Sequence, residues 1–278
     1  MNEHEREGEL EEVEVELLVE GLYRHYGVDL RNYAKPARRQ LLLRLMNEEG
    51  AATVSGLQER VLHESACRER LLLALSAKSV PMFRDPNFYL AFRAKVVPLL
   101  RTYPYVRLWL AGCATGEEAY SLAILLEEEG LARRCRVYAT DLSGEAIRRA
   151  RLGAFPLSAT REFAGNYLRA GGRRAFSDYA AAQNGCVYLS EALKDNLVFT
   201  EHNLATDGSF NEFHVVLCRN VMNHFNHQLQ ERVHDLIYES LCMFGVVGLG
   251  EREPLRLSPR EAFYETLDAR SRLYRKVL

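Results

Sequence analysis

Ten residues, "CRNVMNHFNH" at 218–227, place a cysteine, an arginine, three asparagines and two histidines directly after an apolar run. Such a group could be a metal site, a His/Asn nuclease-type centre, or polar residues gathered at a strand's end. His224 and His227 stand three apart, with His234 seven further on, a spacing that could share a helix face. No carboxylate or cysteine partner is obvious nearby, and Cys218 belongs to the strand. No metal is therefore expected, and the histidines should face solvent or cap a helix.

Two further stretches carry candidate chemistry. In "AGCATGEE" (111–118), Gly112 and Gly116 allow close backbone approach, and the turn presents free N–H groups at a helix start. The pattern is not G-x-G-x-x-G, which disfavours a nicotinamide or flavin. A plain tight turn is the alternative. "YATD" ends on Asp141, a carboxylate suited either to both ribose hydroxyls of a nucleoside or to capping the next helix, where Ser143 competes. A nucleoside cofactor without phosphate would need three strand ends: a glycine-turn backbone, a ribose carboxylate, and polar groups near adenine. S-adenosylmethionine has those requirements.

Elements that could position these groups follow from the hydrophobic pattern. Residues 12 to about 75 carry helical periodicity. "EVELLVEGLYRHYGV" puts Leu17, Leu18, Leu22 and Tyr23 near one face, with Gly27 as a stop. "PARRQLLLRLMNEEG" has Pro36 in its first turn and ends at Gly50, with Arg38, Arg39 and Arg44 projecting from the flanks of an apolar stripe. Past Pro81 and Pro86 the pattern alternates. "YVRLWLAG", "RCRVYATD", "EFHVVLCRN" and "GVVGLG" read as strands, and "EEAYSLAILLEEEG", "SGEAIRRARLGAF" and "HQLQERVHDLIYESL" as helices. That order argues for an α/β fold with a mostly parallel sheet. A polar stretch at about 157–196 fits no strand–helix unit and reads as an insertion.

With 278 residues, 47% hydrophobic and 27% charged, the chain can bury a large domain and a small one. A formal net charge of −2 gives no basic footprint for nucleic acid. Residues 1–11 open an acidic stretch that reads as a solvated, frayed tail. Six scattered cysteines without a C-x-x-C pair suggest reduced thiols. The start lacks signal-peptide character and no apolar run is long enough to span a bilayer, so a cytoplasmic protein without membrane insertion is expected.

The ordered motifs "MFRDP", "GCATGEEAYSLA", "YATD", "HNL" and "FHVVLCRNV", behind a helical region containing "YRHYGVDL" and "RRQLLLRL", resemble the CheR family of chemotaxis glutamate methyltransferases. The resemblance runs from about residue 12 to the end. It implies an S-adenosylmethionine-dependent, Rossmann-like domain over 86–278, closed by an antiparallel strand at "RLYRKVL". It also implies an N-terminal helical domain over 12–85 that covers the cofactor and offers a basic helix to a chemoreceptor. The insertion would be a small antiparallel β-subdomain, which docks a receptor tail peptide in some members. Carried onto this sequence, the cofactor contacts are Arg84, Gly112, Glu118 at the methionyl amine, Asp141 at the ribose, Asn203 with Leu204, and Arg219 with Asn220. S-adenosyl-L-homocysteine would be the product. A glutamate side chain, with a pKa of about 4.3, is already ionised and needs no general base. Arg84 would steer it, so catalysis is mostly positioning.

The chain departs from that pattern at named places. The usual Asn and Thr before "MFR" are Lys78 and Val80, a tyrosine close to the transferred methyl is His224, "P-G-G" is "MFG", and a serine is Ala114. A hydroxyl lost at Val80 removes about 0.5–1.5 kcal/mol. An ammonium at Lys78 about 4 Å from a sulfonium would cost about 4 kcal/mol at an effective dielectric near 20. Lys78 then points to solvent, pairs with a carboxylate of cofactor or substrate, or marks weakened cofactor use. The leading expectation is a protein-glutamate O-methyltransferase acting on a chemoreceptor-like helical bundle. The alternative is a catalytically weakened family member serving as a scaffold. A methyltransferase acting on RNA or a small molecule shares the sheet but gains nothing from the charge balance.

Overall fold

The computed structural model describes residues 3–278 apart from 77–79, 254, 256, 257 and 259, with side chains from residue 8 onward. Four helices open the chain: α1 (Glu3–Tyr26), α2 (Lys35–Glu49), α3 (Val54–His63) and α4 (Ser65–Leu75). The stretch expected to fray is the start of α1. Carboxylates there suit a helix N-terminus, and Glu11 and Glu12 pair with Arg39 and Lys35 of α2. The buried face of α1 is Val15, Leu18, Val19 and Leu22, spaced at helical period, and it packs with Leu42, Leu45, Leu57, Val61 and Leu71. Leu17, expected on that face, lies about 100° around the helix from Leu18 and is 56% exposed.

Arg38 is a second correction. Positions 38, 42 and 45 share one stripe, so Arg38 faces inward with Leu42 and Leu45 and is 7% exposed, not projecting from a flank. Arg39 and Arg44 are exposed and paired with Glu11 and Glu48. Gly50 ends α2 in the left-handed region, its N–H donating to Asn47 O.

A loop and the short helices α5 (Pro86–Ala91) and α6 (Val97–Leu100), joined by a π-turn over Phe92–Val96, lead into the sheet. Strands β1 (Val106–Ala111) and β2 (Cys135–Asp141) flank helix α7 (Glu117–Glu128), and α8 (Gly144–Leu152) follows β2. Ser143 caps α8, its hydroxyl accepting from Ala146 N at 3.2 Å. The insertion comprises β3 (Ala154–Pro156), α9 (Thr160–Arg169), β4 (Ala180–Gln183), β5 (Cys186–Leu189) and α10 (Glu191–Lys194). Its strands form an antiparallel sheet in the order β3-β5-β4. The chain returns through β6 (Leu197–Glu201), β7 (Phe213–Cys218), α11 (His227–Ser240), β8 (Leu241–Leu249), β9 (Tyr264–Asp268) and β10 (Leu273–Lys276).

The main sheet runs β6-β2-β1-β7-β8-β10-β9. The β6, β2, β1, β7 and β8 pairings are parallel, and β10 is antiparallel to both β8 and β9. Central strands are buried on both faces, as the apolar run "LWLA" that follows Arg107 in β1 requires. Strand order reverses between β1 and β7, which places a crevice outside their carboxyl ends. The helical domain closes that crevice. Its segment 32–34 lies antiparallel to 224–226: Asn226 N donates to Asn32 O (2.7 Å) and Ala34 N to His224 O (2.8 Å), with the Tyr33 ring on Phe225.

Candidate cofactor site

The crevice is lined by Gly112, Asp141, Asn203, Leu204, Asn220 and His224 from the sheet side, with Asp29, Tyr33 and Leu75 from the helical domain. Six of the residues singled out from sequence therefore share one cleft. Arg84, Glu118, Arg219 and Val80 are not in its lining, and Lys78 lies outside the described residues.

Each wall has a local cause. Gly112 has φ +77°, and a Cβ there would come within 2.4 Å of Val221, so only glycine lets the two loops close on each other. Ala114 (φ +46°) and Asn220 (φ +63°) also adopt the left-handed region, as do Phe83 and Asp85 in "MFRDP". For residues with a Cβ this conformation costs about 1–2 kcal/mol each. Such strain in the two loops that carry Gly112 and Asn220 into one cleft is typical of functional sites.

Asp141 is the hub. Its Oδ2 accepts from Ala114 N (2.8 Å), which ties the glycine turn to the end of β2. Its Oδ1 accepts from Ser143 N (3.0 Å) and from the Ser76 hydroxyl at the end of α4. Asn203 is held by its own loop, its N–H donating to Asp207 and its Oδ1 accepting from Ala205 N. Its Nδ2 donates to Gly27 O of the helical domain. Beside it, His202 packs edge-on against Trp109, and its Nδ1 is buried without a hydrogen-bond partner among the described residues.

Arg219 forms a separate ionic cluster. Its guanidinium donates to Glu118 (2.6 Å) and Asp85 (2.9 Å) and stacks over the Phe88 ring at 3.9 Å. It is almost wholly buried. Arg84, which precedes Asp85 in the chain, is partly exposed, with Nε 4.0 Å from the Asp85 carboxylate.

The histidines expected to be solvent-facing or capping divide three ways. His227 is exposed beside Glu231. His224 closes a short turn and lines the cleft. His234 is buried in α11, where its 3.6-residue period matches Val233 and Ile237 rather than the exposed face, and burial pushes its pKa down to about 4. Asn226, not a histidine, caps α11 through Leu229 N. Among the described residues no three His, Cys, Asp or Glu side chains are arranged to hold a metal.

One residue of this region escaped the sequence reading. Glu253, 4% exposed, accepts backbone N–H groups from Asn220, Met222 and Gly250. Burial pushes its pKa up, against the pull of those donors. An acid following "GVVGLG" gave no periodic or motif signal, because its partners are backbone N–H groups, two of them some thirty residues upstream.

This architecture can be set beside known proteins. The family model described as "CheR methyltransferase, SAM binding domain" matches residues 78–270, and "CheR methyltransferase, all-alpha domain" matches 14–76. The chain belongs to the CheR methyltransferase family. A protein named as a methyltransferase, Cher3, of Pseudomonas putida is 43% identical over 95% of this chain and 97% of its own. A chemotaxis protein methyltransferase of Listeria monocytogenes is 24% identical over 88% of this chain and 91% of its own. Among solved structures, a SAM-dependent methyltransferase from Geobacter sulfurreducens covers 66% of this chain and 54% of its own at 16% identity, with a TM-score of 0.35.

S-adenosylmethionine is the cofactor of this CheR-family chain, and the cleft's residues fit it. A sugar diol needs an acceptor and finds Asp141, and a purine needs flat apolar walls and finds Leu204, Val221 and Phe225. The purine edge needs polar groups and finds Asn203 and His202. No helix among the described residues is long and apolar enough to cross a membrane.

Proposed function

We propose that this CheR-family methyltransferase esterifies side-chain glutamates of a chemoreceptor-like helical bundle. The observation that carries the reading is the convergence of Gly112, Asp141, Asn203 and Asn220 on one strand-end cleft, roofed by a helical domain with a basic helix. Relatives named as chemotaxis protein methyltransferases support the choice of target.

When bound, S-adenosylmethionine supplies a methyl group on a positively charged sulfur. The chain's own residues position and shield. Asp141 would accept the ribose hydroxyls chiefly through Oδ2, since Oδ1 already accepts from Ser143 N and Ser76. Asn203 and Leu204 would flank the adenine. Arg219 neutralises Glu118 and holds it in one orientation, in which it would receive the methionyl ammonium of the cofactor. Arg84, partly exposed and adjacent to that cluster, steers the acceptor carboxylate. His224 lines the same cleft where a tyrosine is usual. An ionised glutamate needs no proton removed, so excluding water and fixing geometry supply the acceleration. Lys35 and Arg39, one turn apart on α2, offer the receptor a basic face, and Arg44 stands about 140° around the helix from Arg39. Arg38 is too buried to take part.

The test is methyl transfer from labelled cofactor to a purified receptor cytoplasmic domain. Label released as methanol by mild base marks a carboxyl ester and supports the reading. Label that survives base points to an amine or nucleobase target and sinks it. A second reading, a weakened member acting as a scaffold, draws on Ser76 already occupying Asp141 Oδ1. It predicts that Ser76→Ala, or the triple change Lys78→Asn, Val80→Thr and His224→Tyr, raises turnover sharply over the wild type.

A further inference from the structure

The cleft wall opposite Asp141 is a short irregular turn, Asn220–Val221–Met222, with no strand or long helix of its own. Asn220 holds φ +63°, and Val221 rests against the Gly112 backbone. Asn220 and Val221 both line the cleft. Something must keep this turn from relaxing, and its backbone donors identify the group. Asn220 N donates to Glu253 Oε2 at 2.6 Å and Met222 N to Oε1 at 2.6 Å, while Gly250 N donates to Oε2 at 2.9 Å. A single buried carboxylate thus joins the loop after β7 to the loop after β8.

We infer that Glu253 is a positioning residue for the cofactor: it clamps the 220–222 turn so that Asn220 and Val221 stand at the correct distance from Gly112 and Asp141. Only an ionised carboxylate suits the place, because every group aimed at it is a donor, and a carboxylate is the side chain that accepts on both oxygens and donates from neither. The packing enforces the same register from the other side. A Cβ on Gly250 would come within 2.3 Å of Glu253 Oε2 and 2.7 Å of Asn220 N, so glycine is required for the carboxylate and turn to approach. Glu253 does not line the cleft itself. Its effect on cofactor binding must pass through Asn220 and Val221.

Two variants reach the clamp by different routes. Glu253→Gln keeps the shape but turns an amide N–H toward backbone donors and leaves at least one unpaired. Gly250→Ala keeps the carboxylate and displaces it. Calorimetric titration of the full chain with S-adenosylhomocysteine should show binding weakened roughly tenfold or more in both. The Michaelis constant for cofactor should rise to match, with the turnover number at saturating cofactor and the Michaelis constant for the methyl acceptor near wild type. Should Glu253→Gln not fold, Gly250→Ala reads the same quantity. Folded variants that bind S-adenosylhomocysteine as tightly as wild type, with only a lower melting temperature, would reduce Glu253 to a stabilising residue and overturn the assignment. A wild type that binds cofactor but methylates something other than glutamate leaves this inference standing and defeats only the target proposed above.

Discussion

Arg219 joins two acids from different segments: Asp85 ahead of the sheet and Glu118 in the first turn of α7. Removing its charge leaves Glu118 in a half-closed site without a paired cation among the described residues. Arg219→Met is expected to destabilise the fold by about 3–5 kcal/mol in chemical denaturation, whereas Arg219→Met with Glu118→Gln recovers much of the loss. A single-variant loss well below 1 kcal/mol would mean that the cluster is solvated and idle. His234 gives a pH signature with a definite sign. Its folded pKa, about 4, lies below the ordinary value of 6.5. Stability is therefore fully present above pH 6.5 and is lost as pH falls toward 4, when the unfolded chain binds a proton that the folded chain refuses. The loss amounts to about 3 kcal/mol. Denaturation of wild type and His234→Leu across that window should show a slope in the former that the latter lacks, and parallel curves would contradict it. At this scale, sequence reading tied Gly112, Asp141 and Asn203 to strand ends, and the three line one cleft. It missed Ser76 and Glu253, whose partners lie 65 and about 31–33 residues away. It also misjudged Arg38, because charge was weighed above helical phase.

Among elements, the insertion is fastened to the sheet domain by the end of α7. Glu128 accepts from Arg93, the Tyr167 hydroxyl (2.6 Å) and Arg173 N (2.8 Å), and Glu129 accepts from Arg93, Arg101 and Arg173. Burial raises the Glu128 pKa, but the donors from Tyr167, Arg173 and Arg93 outweigh it and hold it below the usual range. Glu128→Ala should loosen α9 and the 170–185 segment while the main sheet stays intact. Hydrogen exchange would register this as faster exchange confined to the insertion; uniform exchange throughout would contradict it. Strand–helix alternation made β1, β2, β7 and β8 and their helices legible, since each is a sustained apolar run with one period. The short strands β4 and β9 were not, because their alternation is broken by "AAAQ" and by half-exposed positions. The acidic start of α1 was read as a tail because charge alone does not reveal that α2 supplies its partners.

The whole molecule places a small helical domain over the switch point of a seven-stranded sheet, so the cofactor cleft exists only where the two meet. Residues of α1–α4 and their loops contribute Asp29, Tyr33 and Leu75 to its lining, and Ser76 reaches Asp141. The sequence pattern distinguishes an N-terminal helical region from a mostly parallel sheet. It could not supply the domain contact, which rests on backbone pairing between 32–34 and 224–226. If α2 meets an acidic receptor, Glu11 and Glu12 already occupy Arg39 and Lys35. Receptor affinity should then rise when Glu11 and Glu12 are changed to Gln and should fall steeply with salt; affinity indifferent to both would place the receptor elsewhere. The measurement that tests the account most directly is calorimetry of S-adenosylhomocysteine binding to wild type and Asp141→Ala. Wild type should bind at one site per chain, and the variant should lose about 1.5–3 kcal/mol, roughly ten- to a hundredfold. A wild type that does not bind, or an Asp141→Ala variant that binds equally well, would contradict the assignment of this cleft to the cofactor.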